Sequence, residues 1–524
     1  LFDALISTVI LLAEKESDTK TRNDNVVTLI RVPPKIKGKE LELGEAGKVL
    51  DDVLQCIENA IRENGLIDVE NLGKCQTEYG IQFVQVRQGN IPRDRKWINL
   101  FFAGVEDVIK KLGDLANEGK LLIRANEWFE PSRGNSLWSI WALNHGKRPD
   151  LGAKEFFYFN NEKILNWNIP NDCLAPAILR SQLVKTFTFT QNDWDKLSAM
   201  NNDAYLFICH KRRTELSQNV EKYIKWGESD ECKTKISSTR GGGRRCSEAE
   251  ACKAREEMSN KEIFYGWYDL GGYIPTPIMA IRQSGYKPRF FFVGFPLVTY
   301  HAIILFVPKI TITYPFEIDP EKIFNKYTDL ENLAKEANKI QIELDEKEVK
   351  ALMAYLNSTF SWLWLEQVGR RTGGGILALE VNIAKEMPIL NVENIDYSYV
   401  TKLAKLFDKL EDEARNLVGS SNDNDNKEEG RASLEMIKEL SNVFKEIDRT
   451  IAEALNIDVD VDALWDMAWD MMERRVEGAK GPARPGSEVS IEIDVGKKME
   501  RRKRKKGPSG ITTPLDKWFS EANH

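Results

Sequence analysis

The spacing of apolar residues changes several times along this chain, and each change marks out a different kind of element. Residues 4–13 are almost uniformly apolar, as a buried strand is, and after a polar turn over 17–25 the run 26–32 predicts a second strand. Region 45–117 reads as mainly helical, with Val49, Val53, Leu54 and Ile57 at helical spacing and a further helix over 104–115. Between 118 and 310 short, aromatic-rich segments take over, at 155–159, 204–209, 290–295 and 301–307. Gly and Pro turns separate them, which predicts a mixed or antiparallel β domain. Residues 228–255 interrupt that domain with a polar, basic, glycine-rich stretch that reads as a loop, centred on Arg240-Gly-Gly-Gly-Arg244-Arg245.

A long helix is predicted over 345–365. Asp345 and Glu348 form its N-terminal box, and Val349, Leu352, Met353, Leu356, Phe360, Leu363 and Trp364 form one apolar stripe. Val400, Leu403, Phe407, Leu410, Ala414 and Leu417 then repeat at alternating three and four, as do Ile437, Leu440, Phe444, Ile447 and Ile451. The polar stretch 419–431 between these repeats predicts a helical hairpin. A short helix carrying Leu464, Met467, Ala468 and Met471 follows, and beyond Gly478 a Pro/Gly-rich, basic segment reads as a flexible tail.

At 524 residues, 42% apolar and 30% charged, the chain has material for two or three cores and is not of a disordered or fibrous class. A net charge of -7 does not advertise a polyanion partner, yet it averages over patches and leaves room for one basic cleft. Seven scattered cysteines fit no secreted disulfide framework and point to a reducing cytoplasm. The 4–13 run lacks the basic flank and cleavage site of a signal peptide, and no run reaches the ~18 apolar residues of a membrane span. The chain starts with Leu inside a strand-like stretch, so an upstream portion is expected. Cys209, His210, Cys232, Cys246 and Cys252 could supply zinc ligands, but no compact Cys-x-x-Cys pair occurs and no metal is assigned. The four histidines are too dispersed for a triad.

Several phrases in order resemble the N6-adenine DNA methyltransferases of type II and IIG restriction-modification systems, in the part that follows the catalytic domain. Thr8-Val9-Ile10-Leu11 with 26–32 resembles the last strands of that domain, and Lys96-Trp97-Ile98-Asn99-Leu100-Phe101 the link leading out of it. Arg133-Gly134 with Leu151-Gly152-Ala153-Lys154-Glu155-Phe156-Phe157 resembles the start of a target recognition domain. Tyr223-Ile224-Lys225-Trp226-Gly227-Glu228, Trp267-Tyr268-Asp269-Leu270 and Ile281-Arg282 are similar to its middle. Leu356-Asn357-Ser358, Gly373-Gly374-Gly375 and Met387-Pro388-Ile389 are similar to its end, and Ile447-Asp448-Arg449 with Arg474-Arg475 to the helical C-terminus.

The resemblance implies an α+β chain: the end of a methyltransferase α/β sheet with linker helices (1–117), a mixed or antiparallel β target recognition domain (118–395), a helical hairpin (396–478) and a basic tail (479–524). It also implies double-stranded DNA as partner, together with an N-terminal catalytic domain missing here or supplied by another chain. The glycine loop that cradles S-adenosylmethionine and the Asn/Asp-Pro-Pro-Tyr/Phe loop that holds a flipped adenine are not found in this sequence. The cofactor is therefore implied for the complete enzyme, none is expected to bind this chain, and the chain alone is not expected to methylate. A stand-alone specificity subunit that recruits a separate enzyme is the alternative. A nuclease would have only the acidic-lysine cluster Glu492, Asp494 and Lys497 to work with.

Arginine suits DNA because its planar fork serves both phosphates and base edges. Arg240, Arg244 and Arg245 are candidates on a loop able to follow a groove, with a solvated loop as the bland reading. Arg370 and Arg371 precede Gly373 and Gly374, where bare backbone can approach a phosphate, although a helix stop explains the same residues. Arg255 and Arg282 flank the middle phrases. Trp267 and Tyr268 could stack on a splayed base, but such pairs are more often core.

Overall fold

In the computed structural model the described residues are 16–31, 73–74, 82–91, 105–134, 136–234, 243–259, 264–324, 331–337, 339–420 and 429–477, with single positions at 51, 54, 55, 58, 59, 62 and 97. The strand expected over 4–13, the tail 479–524 and most of region 32–104 lie outside them. The 26–32 prediction corresponds to the strand Val26–Arg31, which pairs antiparallel with Gln82–Arg87. The helix expected over 104–115 is Val105–Glu118.

The central sheet has five strands in the order Phe129–Arg133, Ile303–Pro308, Ile278–Ile281, Phe290–Val293 and Thr188–Phe189. All neighbours are antiparallel except the last pair. Side chains alternate across a pleated strand, so Ile278, Ala280, Phe290, Phe292, Ile304 and Phe306 enter one core while Met279, Phe291, Val293, Ile303, Leu305 and Val307 enter another. Burial on both faces explains why these strands read as unbroken apolar runs.

A second lobe stands on a four-stranded sheet, Val298–Thr299, Leu174–Ile178, Tyr205–Phe207 and Tyr158–Phe159. Its core is aromatic: Phe156 lies 4.7 Å from Tyr223 and 4.5 Å from Trp267, centroid to centroid. The strand expected over 155–159 opens instead as a helical turn, Lys154–Phe157. Lys163 explains the difference, since its ammonium collects the carbonyls of Glu155, Phe156 and Tyr158 at 2.7, 3.2 and 2.8 Å and thereby satisfies the turn. Burial pushes that ammonium down to about 7.

The single helix expected over 345–365 is two, Glu346–Leu356 and Thr359–Val368. Its N-terminal box forms as expected, Asp345 accepting from the Glu348 amide and Glu348 from the Asp345 amide. The break comes from Asn357 and Ser358. Ser358 caps the second helix by accepting from the Ser361 amide, while the Asn357 amide group pairs with both main-chain groups of Phe290 at 3.0 and 3.1 Å. Asn357 therefore fixes the helix against the central sheet.

The first apolar repeat folds as Tyr397–Ser420, and the second runs across a break at Leu440, with Ile437 in Glu429–Glu439 and Phe444, Ile447 and Ile451 in Ser441–Leu455. Lys402 pairs with Glu453 and Lys409 with Glu446, and this falling register makes the two helices antiparallel. Glu411 ties the first helix to the sheet edge, accepting from the Phe187 amide at 2.8 Å and the Thr186 hydroxyl at 3.0 Å. Among the described residues no helix is long and apolar enough to cross a membrane. The sequence predicts no disulfide framework. The fold nevertheless brings Cys173 to Cys209 and Cys232 to Cys246, with Cα atoms 4.4 and 5.6 Å apart, as disulfides, and among the described residues Cys252 is single and buried.

The last described helix, Val461–Glu477, sends Arg475 back into the molecule. Its guanidinium meets both oxygens of Glu366, the carbonyls of Gly285 and Tyr286 at 2.9 and 3.0 Å, and the carbonyl of Gly375. Arg475→Met strands a buried carboxylate and is expected to cost about 3–5 kcal/mol, whereas Glu366→Leu/Arg475→Met recovers most of that loss. Chemical denaturation of the two variants checks it; a single variant as stable as wild type would remove the pair from this role.

His301 lies beside the strand Ile303–Pro308, its ring 3.7 Å from that of Tyr300. Burial, assisted by Lys154, Arg282 and Arg133 and opposed by Asp150, pushes its imidazole down to about 4. Below the ordinary value of 6.5 the unfolded chain takes up a proton that the folded one refuses. This residue's contribution to stability therefore falls as pH drops from about 6.5 to about 4. His301→Asn is expected to flatten the acid limb of a thermal-unfolding pH series over that window relative to wild type.

Candidate nucleic-acid interface

Arg282 stands directly after the strand Ile278–Ile281, where one backbone serves two sheets. Its amide donates to Ala302 O at 3.0 Å and its carbonyl accepts from Leu379 at 2.8 Å. That second bond joins the central sheet to a small hairpin, Arg370–Thr372 against Ile376–Ala378, with Gln283–Ser284 on its other side. The turn is Gly373–Gly375. Gly374 and Gly375 have φ of +78° and +71°, a conformation that side chains other than glycine's resist, and nothing lies within 4 Å of where a Gly374 Cβ would be. Gly373, Gly374, Arg370 and Arg371 are all exposed.

Three arginines from three separated segments converge on the carboxylate that follows this hairpin. Glu380 Oε1 accepts from Arg282 Nη2 and from Arg370 Nη2, each at 2.9 Å, and Glu380 Oε2 pairs with Arg133 Nη2. Arg133 ends the first strand of the central sheet, so the sheet, the hairpin and the loop after it meet here. The cluster lies near the surface: Arg282 is 14% exposed, Glu380 18%, Arg133 26% and Arg370 59%. Burial, helped by the neighbouring charges of Arg133 and Arg370, lowers the Arg282 guanidinium to about 10, and burial also lowers that of Arg133. Both arginines still carry a proton at neutral pH.

Cationic surface continues at Lys154, whose ammonium is 3.4 Å from the Tyr300 hydroxyl and 4.7 Å from its ring centroid. Tyr300 is in turn the neighbour of His301, whose imidazole feels Arg133 and Arg282.

The other sequence candidates occupy different surroundings. Arg240 lies outside the described residues. Arg244 and Arg245 are both exposed, on the stem of the basic loop; the stem is closed by the bond from the Thr234 amide to Arg244 O and by the Cys232–Cys246 disulfide at its base. Arg245 holds Asp230 through Nε and Nη2 at 3.0 and 3.3 Å. Arg255, Trp267 and Tyr268 are buried, so their side chains do not face a ligand. Arg255 spends its donors on the carbonyls of Trp267 and Leu151 at 2.9 and 2.8 Å, and its guanidinium lies 5.1 Å from the rings of both Trp138 and Phe157. Trp267 Nε1 donates to Glu228 and the Tyr268 hydroxyl to Lys211 O. A carbonyl-lined aromatic pocket can hold a cation, which explains how an arginine came to be core. Among the described residues no group of three or more His, Cys, Asp and Glu could hold a metal ion.

Of the listless pattern of arginines in the sequence, Arg282 and Arg370 are the two candidates that the fold brings together. Arg133 and Glu380 join them without having been candidates. Arg133 does carry a signal, a cation between a strand and a glycine, but Glu380 has none, because its partners are 10, 98 and 247 positions away.

Residues 151–238 match the family model of the C-terminal domain of the type II methyltransferase M.Eco57I. Over 80 residues the chain is 32% identical to the type II methyltransferase M.AccI of Acinetobacter calcoaceticus, a stretch that is 15% of this chain and 14% of that protein. The type IIG restriction endonuclease BpuSI is similar in structure at a TM-score of 0.32 and 14% identity, over 77% of this chain and 38% of that one. The chain thus spans well under half the length of the relatives it matches. The sequence resemblance and the comparisons agree in kind: residues 151–238 are similar to the C-terminal domain of a type II methyltransferase.

Proposed function

We propose that this chain reads DNA sequence as the C-terminal part of an adenine-specific, S-adenosylmethionine-dependent methyltransferase of a cytoplasmic restriction-modification or anti-phage system. The observation that carries the reading is the convergence of Arg133, Arg282 and Arg370 beside a bare glycine turn. Guanidinium forks bind phosphate oxygens and base edges, and a turn without side chains lets a polynucleotide backbone pass close. Lys154 and Tyr300 extend the surface toward the matched domain, offering phosphate attraction and a planar face. In this reading Arg282 and Arg133, held by the sheet, set register, while the exposed Arg370 and Arg371 contact the duplex.

The cofactor has no fitting seat in the glycine turn. A strand-to-helix glycine loop would leave its amides free for the ligand, whereas this turn joins two antiparallel strands and Arg475 already holds its Gly375 carbonyl. Methyl transfer is accordingly assigned to a catalytic domain or chain beyond these residues, and the role of the described residues is to grip and position the duplex.

The test is selection of the purified chain on a random duplex pool across a salt series. Enrichment of a short motif is expected. Arg282→Ala and Arg370→Ala are each expected to weaken binding to that motif by about tenfold or more, and a lost phosphate contact reduces the salt slope by about one. Variants that enrich the same motif with wild-type affinity and slope would remove this surface from the interface.

A further inference from the structure

Glu380 faces three guanidinium groups, so the cluster of Arg133, Arg282, Arg370 and Glu380 carries a net charge of +2 (three cations less one anion). That charge is half withdrawn from water, which is why Arg282 is lowered to about 10 by burial and by its two arginine neighbours. The Nε atoms of Arg133 and Arg282 are buried and have no hydrogen-bond partner, so the forks are not saturated by the carboxylate. Lys154 adds positive charge nearby, while Asp150 is the acidic group that bears on His301. The nearby buried carboxylate, Glu366, is fully engaged by Arg475.

We propose that Glu380 occupies the seat of a DNA phosphodiester, holding the three arginines converged until a phosphate displaces it. The proposal rests on the DNA-recognition reading above. A carboxylate presents two oxygens to this cluster, one shared by Arg282 and Arg370 and the other taken by Arg133. A phosphodiester likewise presents two non-bridging oxygens, carries the same single charge, and accepts from guanidinium with comparable geometry. The approach is open on the side of Arg370, 59% exposed, next to the exposed Gly373 and to Gly374, where nothing lies within 4 Å of a Cβ position to obstruct a linear polyanion. The resident carboxylate has a physical use. It keeps three like charges together when no DNA is bound, and it sets a threshold that a weakly placed phosphate fails to pass, which favours sequences whose other contacts hold the phosphate in place.

Glu380→Gln is the decisive variant, with Glu380→Asp as a charge-preserving control that draws the carboxylate back by one methylene. Duplex DNA of random sequence and inorganic phosphate are the two probes, the first read by titration over a salt series and the second by the shift in Tm. Glu380→Gln is expected to bind random duplex about tenfold more tightly at low salt, with a salt slope steeper by about one, and to be stabilised by phosphate more than wild type. The Asp variant is expected to fall between them. Equal or weaker duplex binding, together with a phosphate-induced Tm shift no larger than that of wild type, would overturn the proposal and leave Glu380 a positioning residue. The phosphate arm decides even where duplex binding is absent. Wild-type binding in Arg282→Ala would instead defeat the DNA reading on its own.

Discussion

Glu366 and Arg475 are 0% and 1% exposed on their side chains, and neither charge could be buried without the other. Arg475 makes a single guanidinium the meeting point of four segments. They are its own helix Val461–Glu477, the helix Thr359–Val368 that carries Glu366, the turn at Gly285 and Tyr286, and the glycine turn at Gly375. Those last two attachments bracket the hairpin on which Arg370 and Arg371 stand and the strand Gln283–Ser284 that pairs with it. A glycine turn is by nature the loosest part of a hairpin. Here its carbonyl is fixed by a buried charge, so the exposed arginines are presented from a rigid base.

The same physics separates the arginines that build the protein from those that face outward. Arg475 is held by a carboxylate and carbonyls, and Arg255 by two carbonyls, a thiol and aromatic faces, with its Nη1 left without a hydrogen-bond partner. These contacts offset the cost of burial. Arg282 and Arg133 are bonded to a shared carboxylate near the surface, their side chains 14% and 26% exposed, and their buried Nε atoms have no hydrogen-bond partner. Sequence composition sees identical residues in all four positions, and only the local count of acceptors distinguishes them.

Much of the scaffold was legible because it depends on periodicity. The buried strands at 290–293 and 303–308 announce themselves through unbroken apolar runs, and the antiparallel helices Tyr397–Ser420 and Ser441–Leu455 through spacing of three and four. What failed was the placement of breaks. The stripe from Val349 to Trp364 continues smoothly through Asn357 and Ser358, yet the chain interrupts its helix there. Asn357 gains two hydrogen bonds to Phe290 that a helical continuation would forgo, and a tertiary contact 67 residues distant has no local signature. The helical turn at Lys154–Phe157 has the same origin, since its carbonyls are satisfied by Lys163 and not by a neighbouring strand.

The site was legible to the degree that its residues were local. Arg370 and the glycines after it announce an exposed cationic turn by themselves, and Arg282 follows a recognisable strand, but Glu380 acquires its meaning only when three distant arginines arrive around it. The contrast between the two Arg–Glu arrangements then carries information that neither residue type could. One carboxylate against one guanidinium, fully bonded and dry, is a closed arrangement whose consequence is stability. One carboxylate against three guanidiniums at a partly wet surface is electrostatically open, and the excess charge is unfavourable unless a further anion compensates it. A protein that needed only to fold could have relieved that excess by replacing one arginine; retaining three beside an unobstructed glycine turn keeps the compensation available to a polyanion.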